Sequence, residues 1–244
     1  MCFNISISQF IDYIEKRFGA SFAEPDAFEP VYHASAFARP RLPVIDNEDS
    51  DKIRLYRWGL VPFWVKDEQA ADSISTKTFN AKAETVFEKP SFRTSIKSKR
   101  CLVLVDGFYE WHQHKAKKYP YYIRMADGSA FAMAGIWDDW QNKSTGENIR
   151  TFSIMTTGAN ELLAQIHNTR KRMPVILKQE DEARWLSDGL DRDEIKNLLV
   201  PYDGDDLCAH PVSKLITARG KNKNVPEVRE KYEYEELKGK QLTF

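Results

Sequence analysis

Residues 101–105 read Cys-Leu-Val-Leu-Val, an unbroken apolar run suited to a strand buried on both faces. Shorter strand-like segments surround it, at 31–37, 42–45, 53–58, 151–156 and 174–177, with Pro40 and Pro43 marking edges or turns. Asp127-Gly128 suits the positive φ angles of a tight turn, so 121–125 and 130–134 are expected to pair as a hairpin. Helices are fewer. Residues 8–18 place Phe10, Ile11, Ile14 and Phe18 on one face, with Gly19 as a stop. Residues 160–167 form a second helix with Asn160 as N-cap, and 180–187 and 191–199 two more. A short helix is expected at 81–87 and a loop at 21–30. Many strands with few helices imply an α+β fold, a curled, barrel-like β-sheet core with flanking helices. No repeat or linker divides the chain, so a single domain over 1–244 is expected, with 219–244 a charged, loosely ordered C-terminal tail.

Charge narrows the function classes. Thirty-six basic residues balance thirty-six acidic ones, so any nucleic-acid site must be a local patch. Cys2, Cys101 and Cys208 are an odd set without metal-ligand spacing, which fits a reducing compartment and gives no metal site. Asp12, Glu15, Lys16 and Arg17 interrupt the first apolar stretch, so no signal peptide is read, and no segment approaches a membrane span. The expected location is cytoplasmic.

Cys2 directly follows Met1. Removal of Met1 gives Cys2 a free α-amine beside its thiol, a 1,2-aminothiol that condenses with aldehydes. The amine, with a reference pKa of about 7.7–8.0, is partly neutral near pH 7 and adds to an aldehyde as a Schiff base. The sulfur then closes a thiazolidine ring. Taken alone, Cys2 reads rather as a small buried hydrophobe at the start of a strand, a common fate for a free Cys. Four other patches bear on the choice. The segment from Trp58 to Trp64 is dense in aromatics that either pack a core or stack on bases. Asn80 caps a helix or contacts a ligand, and Lys82 is a solvated charge or a phosphate contact. Glu110, among Phe108, Tyr109 and Trp111, is an exposed strand residue or an acid–base group with a raised pKa. His167 ends its helix ahead of the basic cluster Arg170, Lys171 and Arg172.

In combination and order these residues resemble the SOS-response-associated peptidase (SRAP) family. The matching blocks are Cys2, Trp58-Gly59-Leu60-Val61-Pro62, Asn80-Ala81-Lys82-Ala83-Glu84-Thr85, Arg100-Cys101, Gly107-Phe108-Tyr109-Glu110-Trp111, Ala134-Gly135-Ile136-Trp137, Thr156-Thr157, His167 and Arg172-Met173-Pro174, with Pro211-Val212-Ser213 weaker. The resemblance covers nearly the whole chain. It implies processing of abasic sites in single-stranded DNA by a monomer that needs no cofactor and is nucleoid-associated when on DNA. Cys2 would capture the ring-opened aldehyde, Asn80 orient the amine and sugar, Glu110 shuttle protons, and His167 serve the sugar oxygen. Lys82 and Arg172 would hold phosphate; beside the resemblance, the basic cluster adds Arg170 and the aromatic segment adds Trp58 and Trp64 as candidate DNA contacts. The peptidase label fits self-removal of the residue ahead of Cys2. Two departures stand out. Phe3-Asn4 replaces the family's Gly-Arg, and the gap from His167 to Arg172 is longer than usual. An N-terminal-nucleophile amidohydrolase at Cys2, or a non-catalytic single-strand-binding module, are the competing readings.

Overall fold

The computed structural model describes residues 2–237. The chain opens with β1 (Asn4–Ile7), α1 (Ile11–Phe18), β2 (Ser21–Phe22), β3 (Val31–Ser35), β4 (Arg41–Asp46) and β5 (Lys52–Trp58). It continues through α2 (Glu68–Ser75), β6 (Asn80–Lys82), α3 (Ser95–Ser98), β7 (Arg100–Val105), β8 (Gly107–His114), β9 (Lys117–Met125), β10 (Phe131–Gln141) and β11 (Asn148–Gly158). The last third holds α4 (Glu161–Ile166), β12 (Arg172–Pro174), α5 (Gln179–Leu186), α6 (Arg192–Leu198) and β13 (Leu207–Pro211).

Strands β5, β11, β10, β7 and β4 pair in a closed ring, because β11 also pairs with β5. That last pairing is parallel, Thr151 against Arg57 and Phe152 against Trp58. Closure leaves the ring no free edge of its own. A second sheet runs in the order β13, β9, β8, β1, β3. Together these give the expected α+β architecture with a barrel-like core.

Strand β7 contains the apolar run, and all six of its residues are buried. Helix α5 covers its outer side, where Trp185 Nε1 donates to Cys101 O at 2.9 Å. Arg100 begins the strand fully buried. It donates to the carbonyls of Ile96 and Lys97 near the end of α3, and to those of Trp185 and Ser187 at the end of α5. A guanidinium is well suited to those orphan carbonyls, so one side chain pins two helix ends to the barrel.

Several local expectations give way to long-range pairing. Residues 121–125 and 130–134 do not form a hairpin. Gly128 turns with φ 77°, but β9 pairs with β8 and β13 while β10 pairs with β7 and β11. The turn therefore carries the chain from one sheet to the other. Residues 81–87 are not helical, because residues 80–82 extend alongside β11, Ile154 against Asn80 and Thr156 against Lys82. Helix α1 starts at Ile11 rather than residue 8, since Ser8 gives its N–H and hydroxyl to the Asp106 carboxylate. Residues 21–22 form a strand against β5. The charged segment after 219 packs down as far as it is described: Val228 is buried, Arg229 Nη1 lies 3.3 Å from Asp106, and Tyr234 OH donates to Val212 O. Residues 238–244 of the expected tail lie outside the described residues. Among the described residues, no helix is long and apolar enough to cross a membrane.

Gly135 shows how tightly the ring is packed. A Cβ there would meet Cys101 Sγ and a Val103 methyl, each at 2.8 Å. Gly135→Ala is expected to destabilise the fold by about 1–3 kcal/mol, the usual range for overpacking. Gly158→Ala, whose Cβ would meet no atom within 4 Å, should shift stability by less than about 0.5 kcal/mol. Urea unfolding of the two variants beside the parent checks both values.

Candidate active site

The N-terminal strand sets the position of Cys2. Strand β1 pairs on one side with β3, Asn4 against Ser35, and on the other with β8, Ile5 against Phe108. Continuing the antiparallel register brings the residues before β1 alongside Glu110 and Trp111. Cys2 is fully buried there, and its Sγ lies 3.9 Å from Asn4 O. Asn80 arrives from β6 and donates from Nδ2 to Cys2 O at 2.8 Å. Oδ1 of the same amide is buried without a hydrogen-bond partner among the described residues. An acceptor is thus available close to Cys2.

Helix α4 supplies the fourth group. Asn160 caps it as expected, accepting from Leu163 N, and His167 ends it, buried. His167 Nδ1 is 2.9 Å from Arg172 O, so Nδ1 carries the proton and Nε2 keeps its lone pair when the ring is neutral. Nδ1 is also 3.9 Å from Glu110 Oε2. That separation is too long for a hydrogen bond, and burial lowers the His167 pKa, so the pair is not an ion pair at neutral pH. The fold therefore brings Cys2, Asn80, Glu110 and His167 together from four separate elements.

Burial sets their protonation. Glu110 is only 4% exposed, and desolvation raises its pKa to about 7. The Cys2 thiol is pushed well up, first by burial and then by the Glu110 carboxylate. Near neutrality the site therefore holds a thiol, a carboxyl poised between its two forms, and a neutral imidazole. A poised carboxyl beside a protonated nucleophile is suited to passing single protons. Among the described residues, no group of three or more His, Cys, Asp or Glu side chains could hold a metal ion.

The outlying candidates divide. Trp58 is fully buried, its Nε1 bonded to Phe79 O and its ring stacked on Phe152 with centroids 6.0 Å apart. It is a core residue and cannot stack on a base. Trp64 is 47% exposed. Lys82 is exposed and points to the same side of β6 as Asn80, and Arg170 is exposed in the loop after α4. That loop is held by Asn168, which exchanges two hydrogen bonds with the backbone of Gln113 on β8. Arg172 is engaged within the protein by Glu84 and Thr156. Sequence reasoning gave Glu84 and Thr156 no role of their own. Glu84 lies 88 residues from Arg172, and no local pattern signals such a pair.

Comparison with known proteins gives one consistent picture. A family model described as SOS response associated peptidase (SRAP) matches residues 1–219. The abasic site processing protein YoqW of Bacillus subtilis (strain 168) is 39% identical over 235 residues, covering 95% of this chain and all of that one. The abasic site processing protein HMCES of Mus musculus is 32% identical over 242 residues, covering 84% of this chain and 65% of its own. Among solved structures, a protein from Bacteroides thetaiotaomicron superposes with a TM-score of 0.88 at 41% identity, covering 95% of this chain and all of that one. A protein from Bordetella bronchiseptica gives 0.74 at 25% identity, covering 87% and 100%.

Burial of Glu110 has a consequence for stability. In the unfolded chain the carboxyl ionises near the ordinary glutamate value of 4.5, whereas in the fold it holds its proton to about 7. Between those pH values the folded state binds more protons, so stability falls as pH rises, and the full cost is present above pH 7. Glu110→Gln removes that cost. The variant should match the parent near pH 4 and exceed it at pH 8 by up to about 3 kcal/mol. Denaturant melts at the two pH values measure this, and a gain independent of pH would contradict it.

Proposed function

The chain belongs to the SOS response associated peptidase family, and on that premise we propose that it captures abasic sites in single-stranded DNA through a covalent bond to Cys2. The observation that supports this most is the meeting of Cys2, Asn80, Glu110 and His167 around one carboxyl whose pKa lies near 7.

The α-amine of Cys2, free once Met1 is removed, adds its lone pair to the aldehyde carbon of the ring-opened sugar. An amine proton moves to the new alkoxide to give a carbinolamine. Glu110, still protonated, then donates to its hydroxyl, and water leaves to give the protonated Schiff base. The thiol sulfur then attacks the same carbon. Its proton passes to the Glu110 carboxylate, and the C=N electron pair returns to the iminium nitrogen, which keeps its one hydrogen. Aldehyde and aminothiol thus become a thiazolidine and one water, with no oxidant, metal or organic cofactor. Because the thiol is held protonated, it depends on such a base. What counts against the amidohydrolase reading is the meeting of Glu110 and His167 beside Cys2, which that chemistry does not require. Asn80 fixes the Cys2 carbonyl with its amide nitrogen and offers Oδ1 to the amine. His167, neutral with its Nε2 lone pair free, moves protons at the sugar oxygens in opening the ring and in reversing the adduct.

A buried Cys2 suits a strand that can turn its sugar inward out of the stack, hence single-stranded DNA. Lys82 and Arg170 at the rim and the exposed face of Trp64 are the proposed contacts for the flanking strand. With Trp58 in the core, the aromatic segment is a poorer platform, which weakens the reading as a binding module alone. The family's peptidase activity would here be removal of the residue ahead of Cys2.

Mixing the Met1-processed protein with abasic single-stranded DNA tests this by denaturing electrophoresis. A stable adduct is expected, absent in Cys2→Ala and blocked by an extra residue ahead of Cys2. Glu110→Gln should slow its formation by roughly 10²–10⁴-fold. His167→Ala should slow both formation and transfer to a competitor strand with little change in affinity. Undiminished adduct in Cys2→Ala would end the aminothiol account.

A further inference from the structure

Arg172 is already spoken for. Its two terminal nitrogens fork onto the two carboxylate oxygens of Glu84, with Nη2 3.0 Å from Oε2. Nη2 also donates to Thr156 O at 2.8 Å and to Thr156 Oγ1 at 3.2 Å. Nε is buried without a hydrogen-bond partner among the described residues. The Arg172 side chain is 15% exposed and that of Glu84 54%, so solvent reaches the carboxylate rather than the guanidinium. The hydrogen bond from Arg172, aided by the charges of Arg172 and Lys82, holds the Glu84 carboxyl below its usual range. Arg172 O accepts from His167 Nδ1, so this pair adjoins the candidate active site.

A carboxylate gripped by a guanidinium fork presents the geometry that the two free oxygens of a phosphodiester would present. We propose that Glu84 occupies an anion seat, made by Arg172 and flanked by Lys82, which a backbone phosphate of the bound strand enters by displacing the carboxylate. This rests on the reading that the chain binds single-stranded DNA at this rim. The exchange is affordable because Glu84 is already on the surface. A partly exposed ion pair holds its partners together by no more than about fivefold, and the freed carboxylate returns to water. One anion replaces another, so the Arg172 contact adds little to the salt dependence of binding while Glu84 is present. The seat also discriminates, since a polyanion with no other hold on the site gains little by opening it.

The test uses lesion-free single-stranded DNA and fluorescence anisotropy across a salt series, with the parent, Glu84→Gln, Arg172→Gln and the double variant. Glu84→Gln should tighten binding by up to about fivefold and steepen the log–log salt slope by roughly 0.7, the signature of one added phosphate contact. Both changes should vanish when Arg172→Gln is added. Thermal melts confirm that each variant is folded, and Glu84→Ala provides a second removal of the carboxylate. An unchanged slope, or weaker binding in Glu84→Gln and Glu84→Ala, would overturn the proposal, because Glu84 would then be a support for Arg172. A gain that persists beside Arg172→Gln would also overturn it, as a general charge effect. A parent that binds this way but forms no adduct with abasic DNA loses the proposed function and keeps the seat.

Discussion

The pairing of β1 between β3 and β8 is the constraint on which the rest depends. Chain termini are ordinarily the least ordered part of a domain. Here the segment after Cys2 is hydrogen-bonded along both edges and buried at Ile5, Ser6 and Ile7. It therefore delivers Cys2 to a fixed depth beside Glu110. The second sheet is held in turn by the Ser6, Ser8, Asp106, Tyr122 and Arg229 network, which ties β1, the end of β7, β9 and the C-terminal segment together. Loosening β1 would separate the nucleophile from its acid–base partner before it touched the barrel.

The same burial that orders the site also sets its chemistry. Desolvation raises Glu110 and the Cys2 thiol and lowers His167. All three shifts favour neutral forms, so near pH 7 the thiol and the imidazole are uncharged and the Glu110 carboxyl is ionised only in part. The charges sit at the rim instead, on Lys82, Arg170 and the Arg172–Glu84 pair. That division suits a ligand whose reacting group is a neutral aldehyde and whose flanks are phosphates.

Much of this was legible in the chain, and the failures have physical causes. The apolar run at 101–105 became a fully buried strand because its pattern needs no partner to be read. Asn160 capped its helix for the same local reason. Asn80 and Glu110 could be singled out as candidates by residue type and block. Their meeting with Cys2 could not be derived from spacing, since register across β1, β8 and β6 brings them together. The hairpin at Asp127-Gly128 failed because turn chemistry dictates a change of direction and not a partner strand. Trp58 lies in the core and not on a stacking surface; buried and exposed aromatics look alike until the fold assigns the faces. Glu84 and Thr156 acquired roles only when β12 was laid against β11.

The central claim is that both heteroatoms of Cys2 end up bonded to one sugar carbon. Nuclease and protease digestion of the adduct, followed by mass spectrometry, measures this directly. The account predicts an N-terminal peptide carrying the sugar with loss of one water, resistant both to thiol alkylation and to borohydride reduction. A peptide whose Cys2 thiol is still alkylated, or whose link is reduced by borohydride, would contradict it.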